Sequence, residues 1–256
     1  MKLGFKSTAI SDVGLQRDGN EDSALISPVL VAVADGMGGH AAGEVASKIA
    51  IESLVGLSKV LTDEEMDPDS KEDLLLNVTS EIDEELAAKV KSHPEFSGMG
   101  TTLTALFLNG DDAEVLHVGD SRCYFIKGKK LEQLSHDHTV IQELLDQGRL
   151  KPDEVADHPQ RSLLTQVLMG SSQIHPMLFV KEVKPGDRFL LCSDGLSSVL
   201  SDHEITKVLA KSGDQLENLL AAVKDAGAPD NVTIILSEVV ELSQASSLTK
   251  LGAANG

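Results

Sequence analysis

Three aspartates in this chain share one local setting, and the setting suggests a shared chemistry. Val31-Ala32-Val33-Ala34 runs into Asp35-Gly36, Val115-Leu116-His117-Val118-Gly119 into Asp120-Ser121, and Phe189-Leu190-Leu191-Cys192-Ser193 into Asp194-Gly195. Asp230 stands with Asn231 before the apolar run from Val232, and Glu21 and Asp22 stand before the one from Ala24. Such runs read as buried strands, and an acid at a strand end followed by glycine reads as a tight turn at the sheet rim. Strands that stack bring their rims together. Carboxylates gathered there repel one another and resist burial unless a cation neutralises them. Oxygen ligands with no Cys/His pair nearby select hard ions, Mg²⁺ or Mn²⁺, over Zn²⁺. One Asp-Gly alone would be an ordinary turn; the repetition carries the metal reading.

The elements that must position these acids are legible from periodicity. Strand-like runs occupy Lys6–Ser11, Ala24–Ala34, Thr101–Leu108, Ala113–Val118, Cys123–Ile126, Met177–Val183, Arg188–Ser193 and Val232–Val239. Links as short as Asn109–Asp112 and Lys184–Asp187 favour antiparallel neighbours, because a parallel crossover needs about a dozen residues. Ala42, Val45, Ala46, Ile49 and Leu54 form one helical face, and Leu75, Val78, Ile82, Leu86 and Val90 a second. Between Thr62 and Glu95 twelve acids stand against three basic residues, which reads as a solvated outer helix face. Ser201 and Glu204 have capping-box spacing before Ile205, and Gly227 with Pro229 closes a helix through Leu216, Leu219, Leu220 and Val223. Strands without interleaved crossovers plus two pairs of helices imply an α+β chain of packed sheets covered by helices. Asp137 to Gly170 breaks the pattern and reads as an insertion with two short helices, Thr139–Gln147 and Pro152–Ala156, opened by a polar turn at His136-Asp137-His138. The expected organisation is one domain over 1–242 and a flexible tail over 243–256.

The formal net charge of -19 argues against a general nucleic-acid binder, since a phosphate backbone would be repelled. It leaves a phosphorylated substrate open, because bound cations invert the local field. Two cysteines, Cys123 and Cys192, form no disulfide framework and are expected as buried apolar residues of a cytoplasmic protein. No secretory h-region follows Met1, and the longest clean apolar stretch, Val29–Ala34, is too short for a bilayer. No heptad run or apolar edge points to assembly, so a monomer without membrane contact is expected.

The motifs then become specific. Ser11-Asp12-Val13-Gly14-Leu15-Gln16-Arg17-Asp18-Gly19-Asn20-Glu21-Asp22 resembles the opening motif of the type 2C metal-dependent serine/threonine protein phosphatases. Asp35-Gly36-Met37-Gly38-Gly39-His40 resembles their second motif in its bacterial form. Gly98-Met99-Gly100-Thr101-Thr102, Gly119-Asp120-Ser121-Arg122, Ser193-Asp194-Gly195 and Asp230-Asn231 match later motifs in order, over roughly Ser7 to Val239. The resemblance implies a four-layer α/β/β/α sandwich of two mainly antiparallel sheets flanked by helix pairs, with 137–170 as a flap beside the active site that influences substrate choice. It also implies two Mg²⁺ or Mn²⁺ ions, with a third, weaker one in many bacterial members. Asp35 would bridge the two ions, Asp194 and Asp230 would complete one, and Glu21 with the Gly36 carbonyl would serve the other. Asp120 with Asp194 would hold the third. Asp22 and Asn231 look like groups that orient ligands or water, and Arg17 matches the residue that grips the substrate phosphate.

The activity so implied is hydrolysis of phosphoserine and phosphothreonine in proteins by a water activated between two cations, opposing a serine/threonine kinase. The chain departs from part of the family at Met37, where many members carry a histidine as candidate general acid. His40 is the substitute candidate in this sequence. Two further readings stand beside this one: a metal-binding but inactive relative serving as a regulatory module, and a two-metal hydrolase of small phosphoesters.

Overall fold

The computed structural model describes residues 2–38, 42–63, 65–155, 158–170 and 174–255. The N-terminal half comprises β1 (Leu3–Asp12), β2 (Asp22–Ile26), β3 (Leu30–Met37), α1 (Ala42–Leu61), α2 (Pro68–Ser92), β4 (Gly100–Thr101), β5 (Leu103–Asn109) and β6 (Asp112–Val118). Then come β7 (Arg122–Lys127), β8 (Lys130–Gln133), α3 (Val140–Asp146), β9 (Met177–Glu182), β10 (Arg188–Cys192) and α4 (Asp194–Ser197). The chain ends with α5 (Asp202–Leu209), α6 (Gln215–Asp225), β11 (Val232–Glu241) and β12 (Thr249–Gly252).

Five strands form one sheet in the order β1-β11-β10-β7-β8, and the other runs β12-β2-β3-β5-β6-β9 with β4 on β3. The pairings are antiparallel, as the short links require. Strand alternation divides the core. Along β10, Phe189 and Leu191 face the other sheet, while Leu190 and Cys192 face α5 and α6. β11 repeats the split, with Ile235 and Val239 inward and Ile234 and Leu236 outward. α1 lays Ala46, Ala50, Ile51 and Leu54 on the second sheet, and α2 packs against α1. The four expected layers are therefore present. Both cysteines are free and buried, one on each side of the first sheet.

Several local expectations need correction. Ala24–Ala34 is a hairpin rather than one strand: Pro28 has no amide to donate, and Ser27 Oγ accepts from Leu30 N at 3.0 Å to close the turn. The mostly polar β8 and β12 were not expected, because an edge strand is held by backbone bonds that side-chain hydrophobicity does not advertise. β12 overturns the expectation of a frayed tail. Thr249–Gly252 pairs with β2, Ser246 accepts from Ser7 N at 2.8 Å, and Ala254 is fully buried. In the insertion, α3 starts at Val140 on a Thr139 cap, and the second expected helix is a single 3₁₀ turn, Pro152–Glu154. The insertion rejoins the body where Leu168 bridges Thr101 and Asp83 of α2 accepts from the amides of Met169 (3.0 Å) and Gly170 (2.6 Å). Ala156 and 171–173, expected within or at the end of the insertion, lie outside the described residues.

Candidate metal centre

The two sheets deliver their acids to one cleft of about 440 Å³, whose walls include Arg17, Glu21, Asp35, Gly36, Asp120, Asp194 and Asp230. Every residue expected as a metal ligand or phosphate group is thus in one place. Asp22 and Asn231 stand behind it. His40, the candidate acid, lies outside the described residues, whereas Met37 lines the cleft directly.

The acids reach the rim by three different devices, and only one is a turn. Asp35 does not end its strand: Gly36 pairs with Thr101 and Met37 with Gly100, so β3 runs on past the acid. Glycine is needed at 36 for close approach, since a Cβ there would sit 2.1 Å from Gly43 O and 2.5 Å from Glu21 O. Asp194 opens α4 behind Ser193, and a Cβ on Gly195 would meet Asn231 O at 1.9 Å. Asp120 alone follows a true turn, through Gly119 at φ 109°. Asp22 begins β2 directly opposite Asp35.

Hydrogen bonds then lock the rims together. Asp35 N donates to Thr102 Oγ1 (3.0 Å), Thr102 N donates back to Asp35 O (2.9 Å), and Thr102 Oγ1 lies 2.7 Å from Ser121 Oγ beside Asp120. Ser193 Oγ donates to Asp22 Oδ2 at 2.7 Å. Asn231 fixes the loop that carries Arg17: its Oδ1 accepts from Glu21 N (2.8 Å), and its Nδ2 donates to Val13 O (2.9 Å) and Gly19 O (2.8 Å). Arg17 itself donates to Asp230 Oδ2 at 2.7 Å, with the arginine side chain 48% exposed. Its partner is a candidate ligand in the cleft, not the neighbouring Asp18.

The electrostatics are those of acids crowded out of water. Burial pushes Asp35 well above the ordinary aspartate range, and the charges of Asp22, Asp194, Asp120 and Asp230 add to it. Burial likewise takes Asp22 to about 7, with Asp194 and Asp230 adding and the Ser193 hydroxyl opposing. Asp120 also reaches about 7, through burial first and then Asp194 and Asp137, against Arg122. Burial raises Asp194 and Glu21 too; Asp230 adds in both cases, and Arg17 opposes. Among the described residues Asp22 Oδ1 is buried without a hydrogen-bond partner. This set is all oxygen, with an orphaned acceptor and protons held where water would remove them; it fits hard divalent ions. Among the described residues no three Asp, Glu, His or Cys side chains close on one point by themselves. Mg²⁺-type ions accept a loosely spaced carboxylate set, because they dehydrate reluctantly and keep several waters.

Sequence reasoning missed part of the wall. Thr102 sat inside a quoted motif without a role, and Ser193 was read only as part of the motif containing Asp194. Ser162, Leu163, Leu164 and Val167 come from the insertion. Nothing in the sequence sets Leu163-Leu164 or Val167 apart from the insertion's other apolar residues, such as Val140-Ile141 and Leu144-Leu145.

The protein phosphatase 2C family description matches residues 20–236. The chain belongs to that family. It is 41% identical over 244 residues to the serine/threonine protein phosphatase PstP of Mycobacterium tuberculosis, a match that spans 93% of this chain but only 46% of PstP. It is 33% identical over 240 residues to the protein phosphatase PhpP of Streptococcus pneumoniae, covering 91% of this chain and 96% of PhpP. Among solved structures, M. tuberculosis PstP/Ppp superposes with a TM-score of 0.83 at 41% identity, over 93% of this chain and 99% of that one. The catalytic domain of PstP in complex with two manganese ions gives 0.83 at 39% identity, over 94% and 100%. The phosphatase 2C fold thus accounts for both sheets and both helix layers.

Proposed function

We propose that this chain hydrolyses phosphoserine and phosphothreonine in proteins, using two divalent cations, Mg²⁺ or Mn²⁺, held in the acidic cleft. The observation that carries the reading is the convergence of five half-buried carboxylates, four of them raised, on a cleft with one guanidinium at its mouth. Family membership supports it, as do the names of PstP and PhpP and the two manganese ions in the PstP catalytic domain. Asp35 would stand between the two ions, with Asp194 and Asp230 on one and Glu21 and the Gly36 carbonyl on the other. Asp120 with Asp194 would serve a third. When bound, the ions supply an activated water and neutralise charge on the phosphoryl oxygens.

The chain's own residues do the rest. Arg17 offers two parallel N–H donors to a phosphate, a planar match that lysine lacks, and it exchanges Asp230 for the substrate as it does so. Asn231 and Ser193 hold Glu21 and Asp22 in place, so the ligands need not reorganise on binding. Leu163 and Leu164 give the cleft an apolar side against which a peptide can lie, which supports reading 137–170 as a flap. None of the expected metal ligands Glu21, Asp35, Asp194 and Asp230 is replaced in this chain, nor is Arg17, which argues against an inactive regulatory relative. The matching partners are phosphoproteins made by a serine/threonine kinase, met by a monomer in the cytoplasm. Among the described residues no helix is long and apolar enough to cross a membrane.

The test is phosphate release from a phosphothreonine peptide with Mn²⁺, with Mg²⁺ and with EDTA. Release that requires either ion and vanishes in EDTA is expected. Folded protein that releases nothing with both ions would refute the reading.

A further inference from the structure

Away from the cleft, one patch of the surface carries the opposite charge. There the outer face of the five-stranded sheet shows a row of register neighbours: Lys6 on β1, Glu238 on β11, Arg188 on β10, Ile126 on β7 and Leu131 on β8. The C-terminus of α5 and the loop into α6 overhang this row and leave two hollows, of about 420 and 220 Å³, that meet at Arg188. Lys211 borders the first, and Lys129 and Lys130 border the second. Together the walls hold five cations and two acids, in a chain whose overall balance is 22 to 41 the other way.

Of the two acids, Asp214 caps α6, accepting from Leu216 N and Glu217 N, while Glu238 lies between Lys6 and Arg188 on the neighbouring strands and offsets part of their charge. The four lysines are exposed, and none has an ion pair among the described residues. Arg188 is held in position by its bond to Gln215, which in turn donates to Leu209 O at 2.6 Å. At the β8 side Ile126, Leu131 and Leu209 make the floor and roof apolar.

We propose that this groove is a docking site for a short acidic segment of a partner protein. Crossing five strands spans four spacings, about 19 Å, which an extended segment covers with about six residues. Size is what selects a peptide here. Screening confines the lysines' attraction to about 8 Å at physiological salt, so a short segment meets only this pole. A nucleic-acid duplex or an anionic membrane extends further and meets the acidic remainder of the molecule. The site is separate from the cleft and does not rest on the phosphatase reading.

Binding of a capped, fluorescent hexaglutamate peptide to the full chain, followed by anisotropy at low and physiological salt, tests this. Salt-sensitive binding is expected, weakened about tenfold by Lys6→Glu with Lys211→Glu and about as much by Lys129→Glu with Lys130→Glu. Lys59→Glu on α1 should leave it within about twofold, and Asp35→Asn should leave it unchanged. Melting curves confirm that each variant is folded; these side chains are exposed, so folding should survive. No binding by the unaltered chain, or equal weakening by Lys59→Glu, would overturn the proposal. So would a duplex oligonucleotide or anionic vesicle that binds more tightly than the peptide with the same sensitivity to the reversals. Concentration-dependent self-association that the reversals abolish would give the groove to a second copy instead, and would equally overturn it.

Discussion

The acidic cleft and the basic pole on the outer face of the five-stranded sheet both concentrate one sign of charge, but they do so in physically opposite ways. At the cleft the acids are buried or half-buried, fixed by bonds such as Ser193 Oγ to Asp22 and Asn231 Oδ1 to Glu21 N, and raised above their ordinary values. At the basic pole the lysines stand on flexible stems in water. Buried like charges cost folding free energy until a counterion arrives, whereas solvated ones cost almost nothing. The cleft is therefore preorganised at the expense of the metal-free fold. The pole sets charge without setting geometry. Substitutions at the first should move activity and stability together, in opposite directions; those at the second should move only binding.

The sharpest way to break this contrast is Asp35→Asn. Asp35 is the cleft acid with the most charged neighbours raising it, so the amide relieves repulsion while keeping the shape. Metal-dependent phosphate release should fall by two to three orders of magnitude, roughly the cost of removing one fixed charge from a transition-state site. The metal-free Tm should rise. Near-normal turnover in the folded variant would remove Asp35 from between the ions, and a lowered metal-free Tm would show that its repulsion is not a cost to the fold. Arg17→Ala comes next in size. With its side chain 48% exposed and paired only at the cleft mouth, it should raise KM about tenfold with a smaller change in kcat. Unchanged KM and kcat would exclude Arg17 from phosphate binding.

A third effect is set by pH. Asp22 and Asp120 sit near 7 in the fold against 3.8 for an ordinary aspartate. The folded metal-free chain thus keeps protons that the unfolded chain releases. Their contribution to stability is fully present below about 4 and is lost as the pH rises to about 7. His117, buried neutral with a value near 3, acts in the opposite sense below 6.5. The acid contribution is therefore read as a difference: the metal-free Tm of Asp22→Asn minus that of the unaltered chain should grow by a few degrees between pH 4.5 and 7.5. Mn²⁺ competes with the same protons, so its stabilisation of the unaltered chain should be larger at pH 7.5 than at 5.5. A difference that stays flat across this range would mean that Asp22 is ionised in the metal-free fold.

How much of this was legible depended on whether the interaction is local. The apolar strand run from Phe189 through Cys192 shows in the residues, though not which face each takes, and so does the Ser201–Glu204 capping box, whose reciprocal bonds are formed. The candidate ligands were legible for the same reason, since each stands at the end of a readable apolar run. What could not be read lies far apart in the chain. Thr102 bonds Asp35 across 67 positions, and nothing near either residue announces the partner. Asp83 is one of twelve acids between Thr62 and Glu95 in a stretch read as solvated, yet it is buried and accepts two amides of the returning insertion. β8 and β12 are held through backbone atoms that every residue carries. Asp35-Gly36 reads as a turn that ends its strand, yet β3 runs on through Gly36 and Met37 to pair with β4.

The smallest predicted effect tests whether the cleft and the pole are mechanically independent. α5 is the element that reaches toward both: Tyr124, which bonds Arg122 near Asp120, donates to Asp202 Oδ1 at the helix start, while Leu209 and Ala210 roof the basic pole at its end. Ser201 caps that start through Glu204 N. Ser201→Ala removes the cap while leaving the burial of Ile205 and Val208 intact, and should cost about 1 kcal/mol. In a chain of this size that lowers Tm by about 2–4 °C. The loss should be confined to the helix, because the Asp35, Thr102 and Ser121 scaffold passes through the other strands. Phosphate release at 25 °C should therefore stay within about twofold of the unaltered chain. A larger fall, at a temperature where the variant is fully folded, would mean that α5 transmits strain to Arg122 and Asp120. The pole and the cleft would then be coupled through that helix, and a peptide seated beneath Leu209 would change catalysis as well as capture a partner.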